Sequence, residues 1–213
     1  MVGTLHVHDL ILLRTESAVI STQRDPACPY LNPNRRPWVV VRRSRISDGL
    51  IPVGVRGSQR HERCAGFTRL SEVMETRRPD QLRLLLAEDS RRALQAFRTL
   101  SYLESRLAGL DMSWGPGGSV GYELASGIPA VRAGSDLDFI LFAPRKLEIT
   151  EAQDLWRMIS SATGKVDAVV ETPFCGFSLE EFATTSRRNI LLRTSVGRIL
   201  GSNPWNLSNG EDS

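Results

Sequence analysis

The chain has few of the residues that mark membrane, disulfide-rich or nucleic-acid-binding proteins. Its three cysteines, Cys28, Cys64 and Cys175, are odd in number and lack the spacing of a disulfide framework or a zinc site. No apolar run approaches the roughly 18 residues of a membrane-spanning helix, and no basic segment precedes the apolar stretch near the N-terminus. Aromatic residues are 7% of the chain and do not interleave with basic ones, which disfavours RNA as a partner. We therefore expect a cytoplasmic protein with reduced thiols that acts neither in a membrane nor on nucleic acid.

Lysine is also scarce, since Lys146 and Lys165 are the two lysines among 27 basic residues. Arginine has a rigid guanidinium fork that suits phosphate, although GC-rich codon usage also enriches arginine. Arginines cluster between residues 42 and 63, and the candidate phosphate-binding residues among them are Arg42, Arg43, Arg56, Arg60 and Arg63. Gly54 and Gly57 lie among them. The cluster predicts a site for phosphate or for an acidic partner, and the pattern leaves that choice open.

The pattern of short apolar runs predicts an α+β fold. Residues 5–13, 38–43 and 50–56 are typical of strands separated by turns, which indicates a small β-rich N-terminal domain over residues 1–78. Leucines recur at helical spacing over residues 80–110. We expect residues 79–213 to form a second, catalytic domain in which a mixed sheet is flanked by helices.

The stretch from residue 116 to residue 140 carries the strongest chemical signal. Asp136 and Asp138 lie on an apolar run, and residues two apart in a strand point to the same face. Two neighbouring carboxylates repel each other unless a cation lies between them. Mg²⁺ prefers such oxygen ligands and completes its shell with water and substrate phosphates. The pair therefore predicts a Mg²⁺ site at the start of a strand.

A glycine–serine turn precedes the two aspartates. Gly117 and Gly118 lack a Cβ and so let a phosphate approach the backbone closely. Successive N–H groups at the start of a helix bind an anion, and the Ser119 hydroxyl can donate to the same phosphate. We therefore predict that these three residues bind the phosphates of a substrate.

The strand predicted at residues 165–171 supplies a third acid. Asp167 is flanked by apolar residues and would lie beside the Asp136 and Asp138 strand as the third catalytic and metal-binding carboxylate. Glu171, further along the same face, is the alternative, and we prefer Asp167 because Glu171 lies at the strand end. Thr150 and Ser178 each begin a capping box, which predicts helices after both residues.

A Gly-Ser turn, a short helix and an Asp-x-Asp strand resemble the nucleotidyltransferase fold of the polymerase-β type. In addition, the ordered blocks WGPGGSVGYELASG, SDLDFIL, VDAVVETP, SLEEFA and LLRTSVGRIL resemble those of one family. HDLILL, VVVRR and PVGVRGSQRHER resemble the same family's N-terminal domain, so the similarity covers nearly the whole chain. That family is the holo-acyl-carrier-protein synthase of bacterial malonate decarboxylase, a phosphoribosyl-dephospho-CoA transferase. Sixteen residues separate Ser119 from Asp136, a longer gap than in most nucleotidyltransferases but one that this family shares.

The resemblance implies a reaction. The enzyme would transfer 2'-(5''-phosphoribosyl)-3'-dephospho-CoA from a triphosphoribosyl donor to a serine of the apo acyl-carrier subunit and release pyrophosphate, with Mg²⁺ held by Asp136, Asp138 and Asp167. One alternative is a nucleotidyltransferase that acts on another acceptor, such as a citrate-lyase-type carrier protein or a small molecule. Another is a module that binds a carrier protein without catalysis, against which the three acids argue.

Overall fold

The computed structural model describes residues 4–21, 28–32, 34–45, 49–57, 59, 61–186 and 189–207. Arg60, one of the predicted phosphate-binding residues, lies outside these ranges. The described chain forms two six-stranded sheets and five α-helices. None of the helices in these ranges is long and apolar enough to cross a membrane.

The first sheet is antiparallel throughout, with the strand order β2-β5-β4-β3-β1-β6. Its strands are β1 Leu10–Leu13, β2 Ile20–Ser21, β3 Trp38–Val41, β4 Leu50–Arg56, β5 Arg63–Arg69 and β6 Val73–Arg77. Short 3₁₀ turns at Glu16–Ala18 and Leu70–Glu72 join some of them.

Apolar residues cover both faces of this sheet near β1 and β3. Ile11 and Val39 belong to a small core that the N-terminal half buries by itself, and that core also contains the buried Cys28 and Cys64. The residues that alternate with them, Leu10 and Trp38, belong instead to the larger core of the C-terminal half. Because neighbouring strand residues point to opposite faces, one sheet serves both cores and fixes the two halves against each other.

The second sheet is mixed, with the strand order β12-β11-β10-β9-β8-β7, and β8 and β9 are its parallel pair. Its strands are β7 Trp114–Pro116, β8 Leu137–Phe142, β9 Val166–Glu171, β10 Gly176–Ser178, β11 Ile190–Thr194 and β12 Gly197–Gly201. In β8, Leu137, Phe139 and Leu141 are fully buried, and Phe139 stacks on Trp114 with ring centroids 4.9 Å apart. The predicted arrangement, an N-terminal antiparallel sheet followed by a mixed sheet with helices, is confirmed. The division into domains at residues 78 and 79 stays a prediction.

The helices are α1 Pro79–Leu82, α2 Gln95–Arg106, α3 Gly118–Ser126, α4 Ile149–Ser160 and α5 Leu179–Thr184. The leucine spacing predicted helix over 80–110 with a break into two helices at Asp89 and Ser90, and the chain does turn there, between α1 and α2. The predicted helix after Ser178 is confirmed, since the Ser178 hydroxyl accepts a hydrogen bond from the Glu181 N–H at 3.3 Å. The cap of α4 is Glu148 rather than Thr150, and Glu151 completes the box by accepting from the Glu148 N–H at 2.9 Å.

The strand predicted over 5–13 begins only at Leu10. Residues 6–9 form a turn in which the Asp9 carboxylate accepts from the His6 N–H at 2.8 Å, and His8 has a left-handed φ of 75°. The strand predicted over 38–43 ends at Val41, whereas the strand predicted over 50–56 is confirmed with those bounds. The three cysteines are free and buried.

Candidate active site

A cavity of about 470 Å³ lies where β8 and β9 begin, and we call it the acid cavity. Asp136, Asp138 and Asp167 line it together with Ser119. Asp138 and Asp167 are direct register partners on the two parallel strands, so their Cα atoms are about 4.8 Å apart. Asp136 precedes Asp138 by two residues and lines the same cavity. The three acids that the sequence predicted to lie together therefore do share one site, with Ser119 beside them.

The start of α3 borders the acids because the residues before it are glycines. The Gly117 N–H donates to the Asp138 carbonyl at 2.8 Å, which ties the turn to β8. At Gly118, with φ 53°, an added Cβ would fall 1.6 Å from Asp138 Oδ2. The missing side chain therefore makes the room in which the Asp138 carboxylate sits against the helix. The N–H groups of the first helical turn have no carbonyl partner within the helix and favour negative charge nearby.

Charge crowding is concentrated on Asp138. Burial raises the pKa of this carboxyl, the charges of Asp167 and Asp136 raise it further, and Arg63 acts in the opposite direction. Asp136 pairs with Lys165 Nζ at 3.1 Å, whereas the carboxylates of Asp138 and Asp167 have no hydrogen-bond or ion-pair partner among the described residues. A cation between these groups would relieve the repulsion.

The predicted arginine cluster divides between several places. Arg56 and Arg63 are register partners on β4 and β5, and both line the acid cavity. Arg42 is exposed and its side chain packs beside Gly54. The sequence prediction missed Arg132, which also lines the acid cavity and donates to Gln59 Oε1 at 2.9 Å. The sequence signal for Arg132 was its position four residues before Asp136, because the loop that precedes a strand lies close to the first residues of that strand.

Arg43 and Glu171 form a second, partly buried cluster with His8. Glu171 is 7% exposed and accepts hydrogen bonds from Arg43 Nη2 and, at 2.8 Å, from His8 Nε2. Burial lowers the pKa of His8 to about 4, with Arg43 adding to the effect, so His8 is neutral at pH 7. Both carboxylate oxygens of Glu171 therefore accept hydrogen bonds within this cluster. Glu171 does not line the acid cavity, whereas Asp167 does, so Asp167 is the third acid there.

The acid cavity fits Mg²⁺ in its donor chemistry. Its carboxylates are the hard oxygen ligands that Mg²⁺ prefers, and the space beside Gly118 brings one of them next to the helix start. Among the described residues, no three carboxylate, imidazole or thiol groups stand close enough together to form a ready-made metal site. This suits an ion that takes one or two carboxylates and draws its other ligands from water and phosphate.

Two family models match the two halves of the chain. Residues 6–79 match the profile described as phosphoribosyl-dephospho-CoA transferase MdcG N-terminal domain, and residues 81–204 match the corresponding C-terminal domain. Because these two matches cover most of the chain, the chain is a transferase. It belongs to the MdcG family of phosphoribosyl-dephospho-CoA transferases.

Curated relatives carry the same description over most of the chain. A phosphoribosyl-dephospho-CoA transferase from Pseudomonas fluorescens (strain Pf0-1) is 34% identical over 206 residues, covering 97% of this chain and 97% of that protein. The one from Klebsiella pneumoniae (strain 342) is 32% identical over 216 residues, covering 96% and 98%. A third, from Pseudomonas putida, is 37% identical over 168 residues, covering 78% and 79%. No solved structure matches the chain.

Proposed function

We propose that the protein transfers the 2'-(5''-phosphoribosyl)-3'-dephospho-CoA group from its triphosphoribosyl precursor to a serine of the apo acyl-carrier subunit of malonate decarboxylase. Pyrophosphate is the second product, and the reaction depends on Mg²⁺, as in nucleotidyl transfer. The observation that carries this proposal is the meeting of Asp136, Asp138 and Asp167 with Ser119 in one arginine-walled cavity. The cytoplasmic location expected from the reduced thiols belongs to the same proposal.

The chemical step is a displacement at phosphorus. The hydroxyl oxygen of the carrier serine forms a bond to the α-phosphorus of the donor, the bond from that phosphorus to the bridging oxygen breaks, and pyrophosphate leaves with the electron pair. The proton of the serine passes to Asp167, whose side chain is the exposed one of the three acids. Asp136 and Asp138 would hold Mg²⁺ on the donor, with Asp167 joining them on a second ion, and the metal would supply charge neutralisation to the phosphates.

The protein's other groups position the phosphates. Ser119 and the N–H groups at the start of α3 bind the leaving phosphates, and Gly118 leaves room for the Asp138 carboxylate beside them. Arg56 and Arg63 face the acids across the cavity and neutralise the remaining negative charge. Catalysis here depends mainly on positioning and electrostatic stabilisation, because the protein forms no covalent bond to the donor.

The proposal is tested by replacing each acid with its amide. Asp136→Asn, Asp138→Asn and Asp167→Asn should each lower the rate of carrier modification by about 100-fold or more, because each removes charge from the site while keeping its shape. The measurement is the mass increase of the purified apo carrier subunit, with the triphosphoribosyl donor and Mg²⁺ present.

Asp154→Asn is the matched control, since Asp154 is an exposed aspartate on α4 that pairs with Arg157 on the surface. This variant should modify the carrier at the wild-type rate. Near-normal transfer by Asp138→Asn would contradict the metal-binding role. Transfer to a citrate-lyase-type carrier but not to the malonate decarboxylase subunit would support the mechanism and reject the acceptor.

A further inference from the structure

A second cavity adjoins the acid cavity and shares its wall. It measures about 410 Å³, and we call it the tyrosine cavity because Tyr30 and Tyr122 line it. Arg56 and Ala130 line both cavities, so the two spaces meet at these residues. Helix α3 joins them as well, because Ser119 faces the acids and Tyr122, three residues later, is about 4.5 Å further along the helix axis.

The lining of the tyrosine cavity suits a flat aromatic group. Tyr30, Tyr122 and Trp38 contribute rings, and prolines at positions 29, 37 and 129 add flat apolar surface. The Arg56 guanidinium lies over the Tyr122 ring, 6.0 Å from its centroid. Burial raises the pKa of Tyr122, so its phenol is neutral and presents a ring face together with a hydroxyl donor. Purine bases stack well on such rings.

The rim of the tyrosine cavity suits a diphosphate. Arg35 and Arg36 line it and are exposed, and neither guanidinium is hydrogen-bonded or ion-paired within the described part of the chain. Arg35 is close enough to Tyr122 to oppose the rise of its pKa. Glu62 is the acid in the lining, so three arginines outnumber one carboxylate. Guanidinium forks bind phosphate oxygens in pairs.

We propose that the tyrosine cavity binds the dephospho-CoA part of the donor, with the adenine against Tyr122 and the 5'-diphosphate at Arg35 and Arg36. This inference rests on the proposed function, since it divides one donor between two joined cavities. In that donor a single ribose links the triphosphate to the adenosine. The triphosphate lies in the acid cavity, and the adenosine therefore has to lie in a space that opens directly into it.

A third cavity, of about 920 Å³, is the rival location. Leu5, Phe142 and Pro144 line it, with Arg145 among its basic residues. It shares no lining residue with the acid cavity among those described, and Glu171, the hydrogen-bond partner of His8, lines it. Phe142 is four residues beyond Asp138, which places this space about 13 Å along β8 from the acids.

The experiment measures binding of dephospho-CoA to the full-length protein by titration calorimetry without Mg²⁺ or carrier. The double variant Arg35→Ala/Arg36→Ala and the single variant Tyr122→Ala should each weaken binding at least tenfold. Tyr122→Phe should stay within about threefold of wild type, because it keeps the ring. Tyr102→Ala, an exposed tyrosine on α2, and Arg145→Ala, at the rival cavity, are controls that should bind normally.

Three results would overturn the inference: absence of dephospho-CoA binding to the wild-type protein, unchanged affinity of Arg35→Ala/Arg36→Ala, or loss of binding in Arg145→Ala alone. The arginine pair carries the test if Tyr122→Ala unfolds, since both arginines are exposed. If Arg35→Ala/Arg36→Ala binds dephospho-CoA with unchanged affinity while the wild-type protein modifies the carrier, this inference is rejected and the proposed function stands. If binding of dephospho-CoA depends on Arg35 and Arg36 but the wild-type protein does not modify the carrier, the proposed function is rejected and the binding site stands.

Discussion

Gly118 shows how tightly the site is built around single atoms. Replacing it with alanine puts a Cβ 1.6 Å from Asp138 Oδ2, at a φ of 53° that alanine adopts at a cost of about 1–2 kcal/mol. The carboxylate must move away from α3. We expect Gly118→Ala to lower the rate of carrier modification more than tenfold, together with a small loss of stability in urea.

Gly127→Ala separates the two effects. Gly127 has a similar φ of 69° at the end of α3, but no atom lies within 4 Å of its added Cβ. This variant should lose about 1–2 kcal/mol of stability and keep its activity. Equal activity losses in the two alanine variants would mean that backbone strain, rather than the position of Asp138, controls the rate.

For single residues, the sequence predicted which three acids line one cavity, but not the contacts that other charged residues make. Asp136 and Asp138 share a face by the period of a strand, and the parallel register with β9 adds Asp167. Arg43 and Glu171, which contact each other, are 128 residues apart in the chain, and no local pattern encodes such a contact. The roles of the acids and arginines stay a prediction until the variants are measured.

At the scale of elements, helix α3 is linked to the loop that follows it by Glu123. Its buried carboxylate accepts from Arg91 Nε at 2.8 Å and from the N–H groups of Ala130 and Val131 at 2.7 Å each. Glu123→Ala would leave these donors without their acceptor, and we expect a loss of about 3 kcal/mol in the free energy of unfolding. Urea unfolding followed by circular dichroism measures this loss.

Glu180, an exposed glutamate on α5, is the comparison, and Glu180→Ala should cost no more than about 1 kcal/mol. Because Ala130 lies on the wall shared by the acid and tyrosine cavities, Glu123→Ala should also weaken carrier modification. A stability loss as small as that of Glu180→Ala would show that the loop is held by other contacts.

Elements with a strong apolar period were predictable, and those held by distant contacts were not. β8 and α5 carry clear local signals, a buried run in one and a capping serine in the other. β5 has alternate buried positions, but Gly66 and Thr68 occupy two of them and hide the pattern. Residues between α1 and α2 have leucines at helical spacing, yet Leu84 and Leu86 are 67% and 79% exposed, so no core fixes them as a helix.

Across the whole molecule, the cluster of His8, Arg43 and Glu171 connects the two sheets. His8 and Arg43 flank strands of the first sheet, and Glu171 ends β9 of the second. His8 keeps a pKa of about 4 when folded, against 6.5 ordinarily, so the unfolded chain binds more protons between these two values. Stability contributed by neutral His8 is therefore complete above about pH 6.5 and is lost as the pH falls towards 4.

His8→Gln should remove this dependence, because the carboxamide can still donate to Glu171 but does not titrate. We expect the wild-type protein to lose stability relative to His8→Gln by at most about 1.4 kcal/mol per pH unit below pH 6.5. Urea unfolding of both proteins at pH 7.5, 5.5 and 4.5 measures the difference. Asp9 and Asp138, whose raised pKa values act in the opposite direction, are present in both proteins.

Replacing the exposed His61 with glutamine is the control, since it removes a histidine without removing a contact between the sheets. Its pH profile should follow that of the wild-type protein. Parallel profiles for wild type and His8→Gln would show that His8 takes up its proton equally in the folded and unfolded states.

The wall of the acid cavity comes from both halves of the chain, since Arg56 and Arg63 belong to the first sheet and the acids to the second. Chimeras that exchange halves between relatives therefore cannot be joined at residue 79 on sequence likeness alone. The β4–β5 hairpin of the exchanged half must place its equivalents of Arg56 and Arg63 in the same positions relative to the acids. A substitution among the acids of the second sheet would therefore call for a matching change among the arginines of the first.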